Sequence, residues 1–560
     1  MTDDELVAFA AAWMADDPDP ETAAATAALL AGPDLEGLRA CFGERLTFGT
    51  AGLRGALGPG PNRMNQAHVR RASAGFGHYL IEEATRGTVA VGYDGRHGSR
   101  VFAEDTARVL AGLGFTVFLA DAPAPTPALA FAVRKLCCTG GVMVTASHNP
   151  PQDNGYKVYW GNGAQIVPPH DTGISACIGA IESLAGLSVP PLDELRRAQR
   201  VRPIPAEVDV AYAAEVDALR CYDGPTDLQI VYTAMHGVGR RAVEDVLKRN
   251  GYVHFHAVAA QAEPDPDFPT VAFPNPEEPG ALDLALAEAR ARGADVVLAN
   301  DPDADRLAVA VPDGAGGYRA LTGNELGVLL ADELLTYGAR PEKPLVATTV
   351  VSSQLLGRMA AAAGVAFAET LTGFKWLATE ALRHARTGGH FVMGYEEAIG
   401  YSVGEVVRDK DGVSAALIVC DLVARAKRDG VSVLDRLAAL YRRHGLHRST
   451  QKSLKMPPSA GAELMARLRA DAPTTLGGVA VEATKDYLLD KTGLPPSDLL
   501  AFRLAGGHRV LVRPSGTEPK VKIYVEVVLP FGEGEPLAAG EARADALLAT
   551  LVADAAARLG

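Results

Sequence analysis

Thr88-Val89-Ala90-Val91-Gly92-Tyr93-Asp94 is the stretch from which the fold can be read. It is β-prone and reads as a strand. A polar turn follows, Gly95-Arg96-His97-Gly98-Ser99, and an amphipathic helix then runs to Gly112-Leu113-Gly114. Phe115-Thr116-Val117-Phe118-Leu119 is a second strand. The same grammar returns at Gln229-Ile230-Val231-Tyr232-Thr233-Ala234, with the turn Met235-His236-Gly237-Val238-Gly239, a helix ending at Asn250-Gly251, and the strand Tyr252-Val253-His254-Phe255. It returns again at Leu345-Val346-Ala347-Thr348-Thr349-Val350, with the turn Val351-Ser352-Ser353, a helix ending at Ala363-Gly364, and the strand Val365-Ala366-Phe367-Ala368. Strand, helix and strand in that order predict right-handed βαβ units. Three spaced copies predict three α/β domains of related build, although residue identity between the copies is low.

Outside these units the grammar changes. Residues 1–46 read as helices, Glu5 to Met14 and Glu21 to Leu30, split by Asp17-Pro18-Asp19-Pro20. Proline-rich linkers at Val189-Pro190-Pro191 and Arg202-Pro203-Ile204-Pro205 separate the first two copies. Beyond Gln451 come strands around Arg509-Val510-Leu511-Val512 and Lys520-Val521-Lys522-Ile523-Tyr524-Val525-Glu526-Val527, then a long helix from about Gly540 to Leu559. The division predicted is 1–203, 204–322, 323–450 and 451–560, the last a smaller α+β domain. A chain of 560 residues, 48% hydrophobic and 22% charged, is too long for one core and fits roughly three to five domains.

The net charge of −14 argues against nucleic-acid or anionic-membrane binding, since phosphate backbones need a basic face. It leaves room for a small phosphorylated substrate in a local cationic pocket. None of the six cysteines (Cys41, Cys137, Cys138, Cys177, Cys221, Cys420) forms a C-x-x-C, and they read as reduced and mostly core-filling. The acidic start, without a basic and apolar leader, and the lack of any membrane-length apolar run add to a cytoplasmic expectation.

Four stretches carry chemistry. Val144-Thr145-Ala146-Ser147-His148-Asn149-Pro150 ends a β-prone run in a turn, which puts the Ser147 hydroxyl at the mouth of a sheet. Asn300-Asp301-Pro302-Asp303-Ala304-Asp305-Arg306 follows the strand Ala294-Asp295-Val296-Val297-Leu298-Ala299. It sets three carboxylates at alternate positions, an all-oxygen donor set that suits Mg²⁺. Gly394-Tyr395-Glu396-Glu397-Ala398-Ile399-Gly400-Tyr401, after the strand His390-Phe391-Val392-Met393, offers acids to sugar hydroxyls, or equally to a helix N-terminus. Arg513-Pro514-Ser515-Gly516-Thr517-Glu518-Pro519 reads as a tetrahedral-anion cradle or as a capped loop. Arg54, closing the glycine-rich Phe48-Gly49-Thr50-Ala51-Gly52-Leu53-Arg54-Gly55, either grips an anion or sits on an ordinary hairpin. Lys157 and Lys410 are further cations, of a type that is usually on the surface.

In this order, Thr145-Ala146-Ser147-His148-Asn149-Pro150, Asp301-Pro302-Asp303-Ala304-Asp305-Arg306, Gly394-Tyr395-Glu396-Glu397-Ala398 and Arg513-Pro514-Ser515-Gly516-Thr517 resemble the α-D-phosphohexomutase superfamily of phosphoglucomutases and phosphomannomutases. The Phe48 to Gly55 loop and the Glu-Glu-Ala-Ile-Gly form look most like the branch of bacterial phosphoglucomutases and animal phosphopentomutases. The resemblance implies a heart-shaped, four-domain α/β enzyme with a central cleft and a C-terminal domain of TATA-binding-protein-like build. It implies Ser147 as phosphoserine; Asp301, Asp303 and Asp305 around Mg²⁺ with the phosphoserine oxygen; and Arg306 beside it. Arg54, His148, Lys157 and Lys410 would line the cleft, with His148 and Lys157 as proton-transfer candidates. Glu396 would hold sugar hydroxyls, with Thr372, Gly373 and Lys375 on the sugar face. Arg513, Ser515, Gly516 and Thr517 would seat the phosphate not being transferred. Phosphate would pass between the 1- and 6-positions of a hexose, glucose as first choice, through glucose 1,6-bisphosphate, with mannose and pentose phosphates as alternatives. Ala398 stands where many glucose-selective members carry serine. Partners would be small phosphorylated sugars, with no nucleic acid or membrane, and the protein a monomer or weak homodimer. A serine hydrolase would need a base, which the neighbouring His148 cannot easily turn back to supply, and a G-x-S-x-G that the chain lacks. An aspartyl-phosphate phosphatase using Asp303 and Asp305, and a non-enzymatic sugar-phosphate sensor, complete the rivals.

Overall fold

The computed structural model of the chain describes residues 1–560 apart from Pro33, residues 48–51, Ala84, Arg86, Thr492, residues 516–519 and Gly560. Two compact units form. One comprises Met1–Arg220, Thr226–Ala310 and Gly400–Cys420; the other Cys221–Pro225, Val311–Ile399 and Asp421–Gly560.

In the first unit, Thr88–Tyr93 sits mid-sheet, parallel to Thr116–Leu119 on one side and to Gly140–Val144 on the other. Asp153–Trp160 runs back antiparallel to Gly140–Val144, and Leu53–Ala56 pairs with it. Val89, Val91, Val142 and Val144 are fully buried against Phe76, Phe102, Leu110 and Phe115. Covered parallel strands need this near-continuous apolar composition, and each such side chain contributes about 1.5–3 kcal/mol. In the second sheet, Ile230–Thr233 is parallel to Phe255–Ala257 and to Val296–Ala299. The strand expected at 252–255 therefore begins only at Phe255. Tyr252 N–H bonds the Leu247 carbonyl, so its buried ring closes the preceding helix, and Val253 lies exposed.

Three helices, Asp3–Ala15, Pro20–Ala31 and Leu35–Phe42, precede the first sheet and bury Leu6, Trp13, Leu38 and Phe42 with Leu184. No disulfide forms among the described residues, and of the six cysteines only Cys138 and Cys420 are buried. Cys137 is exposed and the other three are half-buried, so fewer fill the core than expected. No helix among the described residues is long and apolar enough to cross a membrane.

The second unit repeats the parallel trio: Pro344–Thr349 between Ala366–Thr370 and His390–Glu396. The recurring grammar is thus a recurring strand order. Beside it lies an antiparallel sheet that opens with Leu446–Lys455 paired along Lys520–Leu529, then Arg509–Pro514, Leu500–Leu504 and Val479–Asp486. Its first strand starts before Gln451, and the helix Leu537–Leu559 packs on its first two strands.

Buried Glu526 joins these two sheets. It accepts from Ser353 Oγ (2.5 Å), Gln354 N–H (3.0 Å) and Arg509 Nε (2.7 Å), and meets His447 Nδ1 at 3.0 Å. Burial alone would raise its pKa, but Arg509 and the hydrogen bonds from His447 and Ser353 bring it from 4.5 down to about 2. A depressed folded-state pKa contributes stability above the unfolded value and loses it as pH falls through the folded one. Glu526 is therefore worth about 3 kcal/mol at neutral pH, lost between pH 4.5 and 2. Glu526→Gln should destabilise the second unit at pH 7 and flatten its acid unfolding in that window. Denaturant titrations at pH 7 and 3 with equal Glu526→Gln penalties would rule this out.

Candidate functional site

Ser147 follows the strand Gly140–Val144 with φ of +53°, in the left-handed region that non-glycine residues seldom adopt. Its N–H bonds Thr145 Oγ1 at 2.8 Å. The Arg96 guanidinium fixes the loop by donating to the carbonyls of Ser147 (2.6 Å), Asn149 (2.5 Å), Pro150 (2.8 Å) and Asp153 (3.2 Å). Arg96 reaches these groups because Thr88–Tyr93 and Gly140–Val144 are parallel neighbours, so their turns leave the same sheet edge. That adjacency was the signal that would have found Arg96, which the sequence reading took for part of a polar turn.

The Ser147 hydroxyl donates to Asp301 Oδ2 at 2.6 Å, and His148 Nδ1 lies 3.3 Å from it. The expectation that His148 cannot turn back is corrected. The left-handed backbone at Ser147 curls the loop and brings the imidazole round. Burial, with Arg306 and Arg54 nearby, holds His148 well below its ordinary pKa. A neutral imidazole at that distance can accept a proton.

Asp301, Asp303 and Asp305 are buried, with ligand oxygens all within 4.8 Å of one another. Burial and the two neighbouring carboxylates push Asp301 well above the usual range. Lys157 is wholly buried, unlike the surface lysine its type suggests. Its Nζ bridges Asp303 Oδ2 (2.7 Å) and Asp305 Oδ2 (2.8 Å). Burial works to lower its pKa, but the two carboxylates outweigh it and hold Lys157 charged. Asp303 Oδ2 also accepts from Thr126 Oγ1 at 2.7 Å. Asp303 Oδ1 and Asp305 Oδ1 are buried without a hydrogen-bond partner among the described residues. Two orphaned carboxylate oxygens among three acids suit a hard divalent ion such as Mg²⁺.

The loop itself is over-determined. Asn300 Oδ1 accepts from Tyr232 (2.7 Å), its amide donates to the Arg306 carbonyl (2.5 Å), and Arg306 N–H bonds Asp301 Oδ1 (3.1 Å). Gly237 packs so closely that a Cβ there would stand 2.4 Å from Pro302 Cα. Arg306 Nε is 4.0 Å from Asp301. Lys410 Nζ is 3.1 Å from Asp305 Oδ2 and 3.4 Å from Asp409, whose carboxylate accepts from Tyr159 and Gln165, both at 2.7 Å. Thr126, Tyr159 and Gln165 had no sequence signal, because each acts through a contact 177 to 250 residues away. Arg54 Nη1 reaches Asn149 Oδ1 at 3.5 Å, while its Nε is buried without a partner among the described residues.

In the second unit, Glu396 ends the strand His390–Glu396. Gly394-Tyr395-Glu396 is therefore strand, not a post-strand turn. Glu396 Oε1 accepts from Gly373 N–H at 2.6 Å, Thr372 Oγ1 is buried without a partner, and Lys375 lies 5.6 Å from the Trp376 ring. Glu397 is held by Ser352 Oγ at 3.0 Å. Arg513 stands at the end of Arg509–Pro514, its Nε 3.4 Å from the Pro514 carbonyl, and Ser515 N–H bonds the Lys520 carbonyl at 2.8 Å. Burial, and then the nearby Glu397 and Glu396 against Arg513, raise the pKa of the buried Tyr524 hydroxyl. Gly516 and Thr517 lie outside the described residues.

Family models for phosphoglucomutase/phosphomannomutase match the chain four times: α/β/α domain I over residues 45–185, domain II over 211–315, domain III over 322–443 and the C-terminal domain over 461–544. A Haemophilus influenzae protein named "Probable phosphomannomutase" is 41% identical over 468 residues, 83% of this chain and 93% of its own. The Homo sapiens phosphopentomutase is 37% identical over 571 aligned positions, covering 94% of this chain and 92% of that protein. A Staphylococcus aureus phosphoglucomutase is 34% identical across 87% of this chain and 91% of its own. Among solved structures, the Paramecium parafusin phosphoglucomutase in its open form matches with a TM-score of 0.68 at 19% identity, over 91% of this chain and 96% of that one, a likeness of fold.

Proposed function

The chain belongs to the phosphoglucomutase/phosphomannomutase family and is a phosphosugar mutase, an isomerase that moves phosphate within one sugar, and on that premise we propose that it interconverts glucose 1-phosphate and glucose 6-phosphate. One observation carries the reading: the Ser147 hydroxyl, 2.6 Å from Asp301, inside a buried acid trio clamped by Lys157. Ser147 carries the phosphoryl group. Asp301, Asp303 and Asp305 would hold Mg²⁺, which would polarise the phosphoryl group and neutralise charge building on its oxygens. Arg306, Arg54, Lys157 and Lys410 add fixed positive charge.

The free sugar hydroxyl attacks phosphorus and its proton passes to His148 Nδ1; the bond to Ser147 Oγ breaks as that oxygen takes the proton back from His148, 3.3 Å away. Of the two proton-transfer candidates, His148 suits the role because it is neutral, whereas Lys157 is pinned and charged. The glucose 1,6-bisphosphate then presents its other phosphate to Ser147. Glu396 holds sugar hydroxyls, with Thr372, Gly373 and Lys375 against the sugar face. Arg513, Ser515, Gly516 and Thr517 receive the phosphate that stays.

A pentose substrate is the second reading. Ala398 removes a hydroxyl contact from the sugar loop, and the likeness to a phosphopentomutase spans nearly the whole chain. A coupled assay on glucose, mannose, ribose and deoxyribose 1-phosphates, primed with the matching bisphosphate, tests both. Glucose 1-phosphate should give the highest kcat/KM, by about tenfold. A higher value on ribose 1-phosphate would replace the first reading by the second, and failure on all four would sink the sugar assignment.

A further inference from the structure

Residues 262–282 join the 3-10 helix Ala259–Gln261 to the helix Asp283–Arg292 with no helix or strand of their own, and carry six prolines. Such a stretch could simply be a surface loop. Its contacts say otherwise, because they fall on the turn at residues 95–99 that carries Arg96, then on the Ser147 loop, then on the acid loop. Asp267 meets His97 at 2.7 Å. Buried Phe268 lies 4.9 Å beneath the Arg96 guanidinium, the group that fixes the Ser147 loop. The Phe273 ring stands 6.2 Å from the His148 ring, and Glu277 is 3.9 Å from Arg306. Thr270 pins the strap from below, through His236 Nε2 at 2.8 Å and Gln261 Nε2 at 2.9 Å. The segment is therefore built into the site, with apolar rings facing the two side chains that flank the nucleophile.

We propose that Phe273 is a positioning and specificity-determining residue, which holds His148 toward Ser147 and keeps water from replacing the sugar as phosphoryl acceptor. The proposal rests on the reading of Ser147 as phosphate carrier. A mutase must hold its phosphoryl group between partners without losing it. The failure it must suppress is attack by a water oxygen on phosphorus, with cleavage of the bond to Ser147 Oγ, return of a water proton to that oxygen and release of inorganic phosphate. A half-buried phenyl ring beside the nearest base offers water no hydrogen bond and takes up space next to the imidazole that would activate it.

The test uses the full chain with Mg²⁺ and glucose 1,6-bisphosphate. It measures inorganic phosphate release and mutase flux in parallel, with intact mass to follow phosphate on the protein. Phe273→Ala should raise the ratio of phosphate release to mutase flux about tenfold, and the milder Phe273→Val about threefold, while Phe273→Tyr stays within about twofold of wild type. The Val variant decides the matter if the Ala variant does not fold. A constant ratio in both, whether or not the two rates fall together, overturns the inference and leaves Phe273 a merely structural residue. Wild-type protein that never takes up phosphate at Ser147 overturns instead the reading of the site, and this inference with it.

Discussion

Ser147→Ala should lower mutase flux by about four orders of magnitude or more and yield a protein that takes no phosphate from glucose 1,6-bisphosphate. The size of the effect follows from covalent catalysis, in which no other hydroxyl can take the nucleophile's place. The fold should survive. Asp301 loses one hydrogen bond of 2.6 Å but keeps the Arg306 N–H at 3.1 Å, so the cost is about 1–3 kcal/mol. Ser147→Thr is no conservative rescue, since a β-branched side chain at φ of +53° is strained. Intact mass separates the rivals: an aspartyl enzyme using Asp303 would still be labelled in Ser147→Ala, and labelling there would sink the phosphoserine assignment. A serine hydrolase would lose its activity as well, yet its wild type would turn sugar phosphates into free phosphate rather than into their isomers.

The parts of this site that were legible in the sequence are those whose chemistry is local. Asp301, Asp303 and Asp305 stand at alternate positions of one turn, and Ser147 ends a strand, so both could be seen within seven residues. The parallel pairs of the three α/β sheets followed from a grammar of strand, turn and helix. Illegible parts depended on contacts across the chain. Arg96 was visible as a cation but not as the clamp of four carbonyls, because that role exists only once two strands lie side by side. The strap at 262–282 has neither helical nor strand periodicity, and proline-rich sequence without a period reads as linker. By residue type alone Lys157 reads as a surface lysine, and only the resemblance brings it into the cleft; the two carboxylates that bury it come from about 150 residues away. The misplaced strand at 252–255 failed differently, since Tyr252 and Val253 have β propensity but the helix end claimed the first of them.

Lys157 yields the other large effect. Lys157→Met keeps the volume and removes the charge that bridges Asp303 and Asp305. Their Oδ1 atoms are already without hydrogen-bond partners among the described residues. Thr126 stays on Asp303 at 2.7 Å and Lys410 near Asp305 at 3.1 Å. Breaking a buried pair by deleting one partner costs about 3–5 kcal/mol, and losing one fixed cation from phosphoryl transfer costs about 10²–10³ in kcat. The pH dependence should change sign. In the wild type Asp303 titrates below its ordinary 3.8, because burial is outweighed by Lys157 and the hydrogen bonds it receives. A depressed value gives stability above that pH, lost as pH falls. Without Lys157, burial and the neighbouring acids raise the folded value above the unfolded one, so the variant gains stability as pH falls from 8 toward 5. Hydrogen exchange of Asp153–Trp160 and Val296–Ala299 reports this locally, with or without Mg²⁺. Added Mg²⁺ should restore more protection to the variant than to wild type, because a divalent ion takes over the neutralisation that the ammonium supplied. Equal protection of variant and wild type at pH 8, in a chelator, would mean that the three aspartates tolerate one another without Lys157. The case for a cation-demanding site would fall with it.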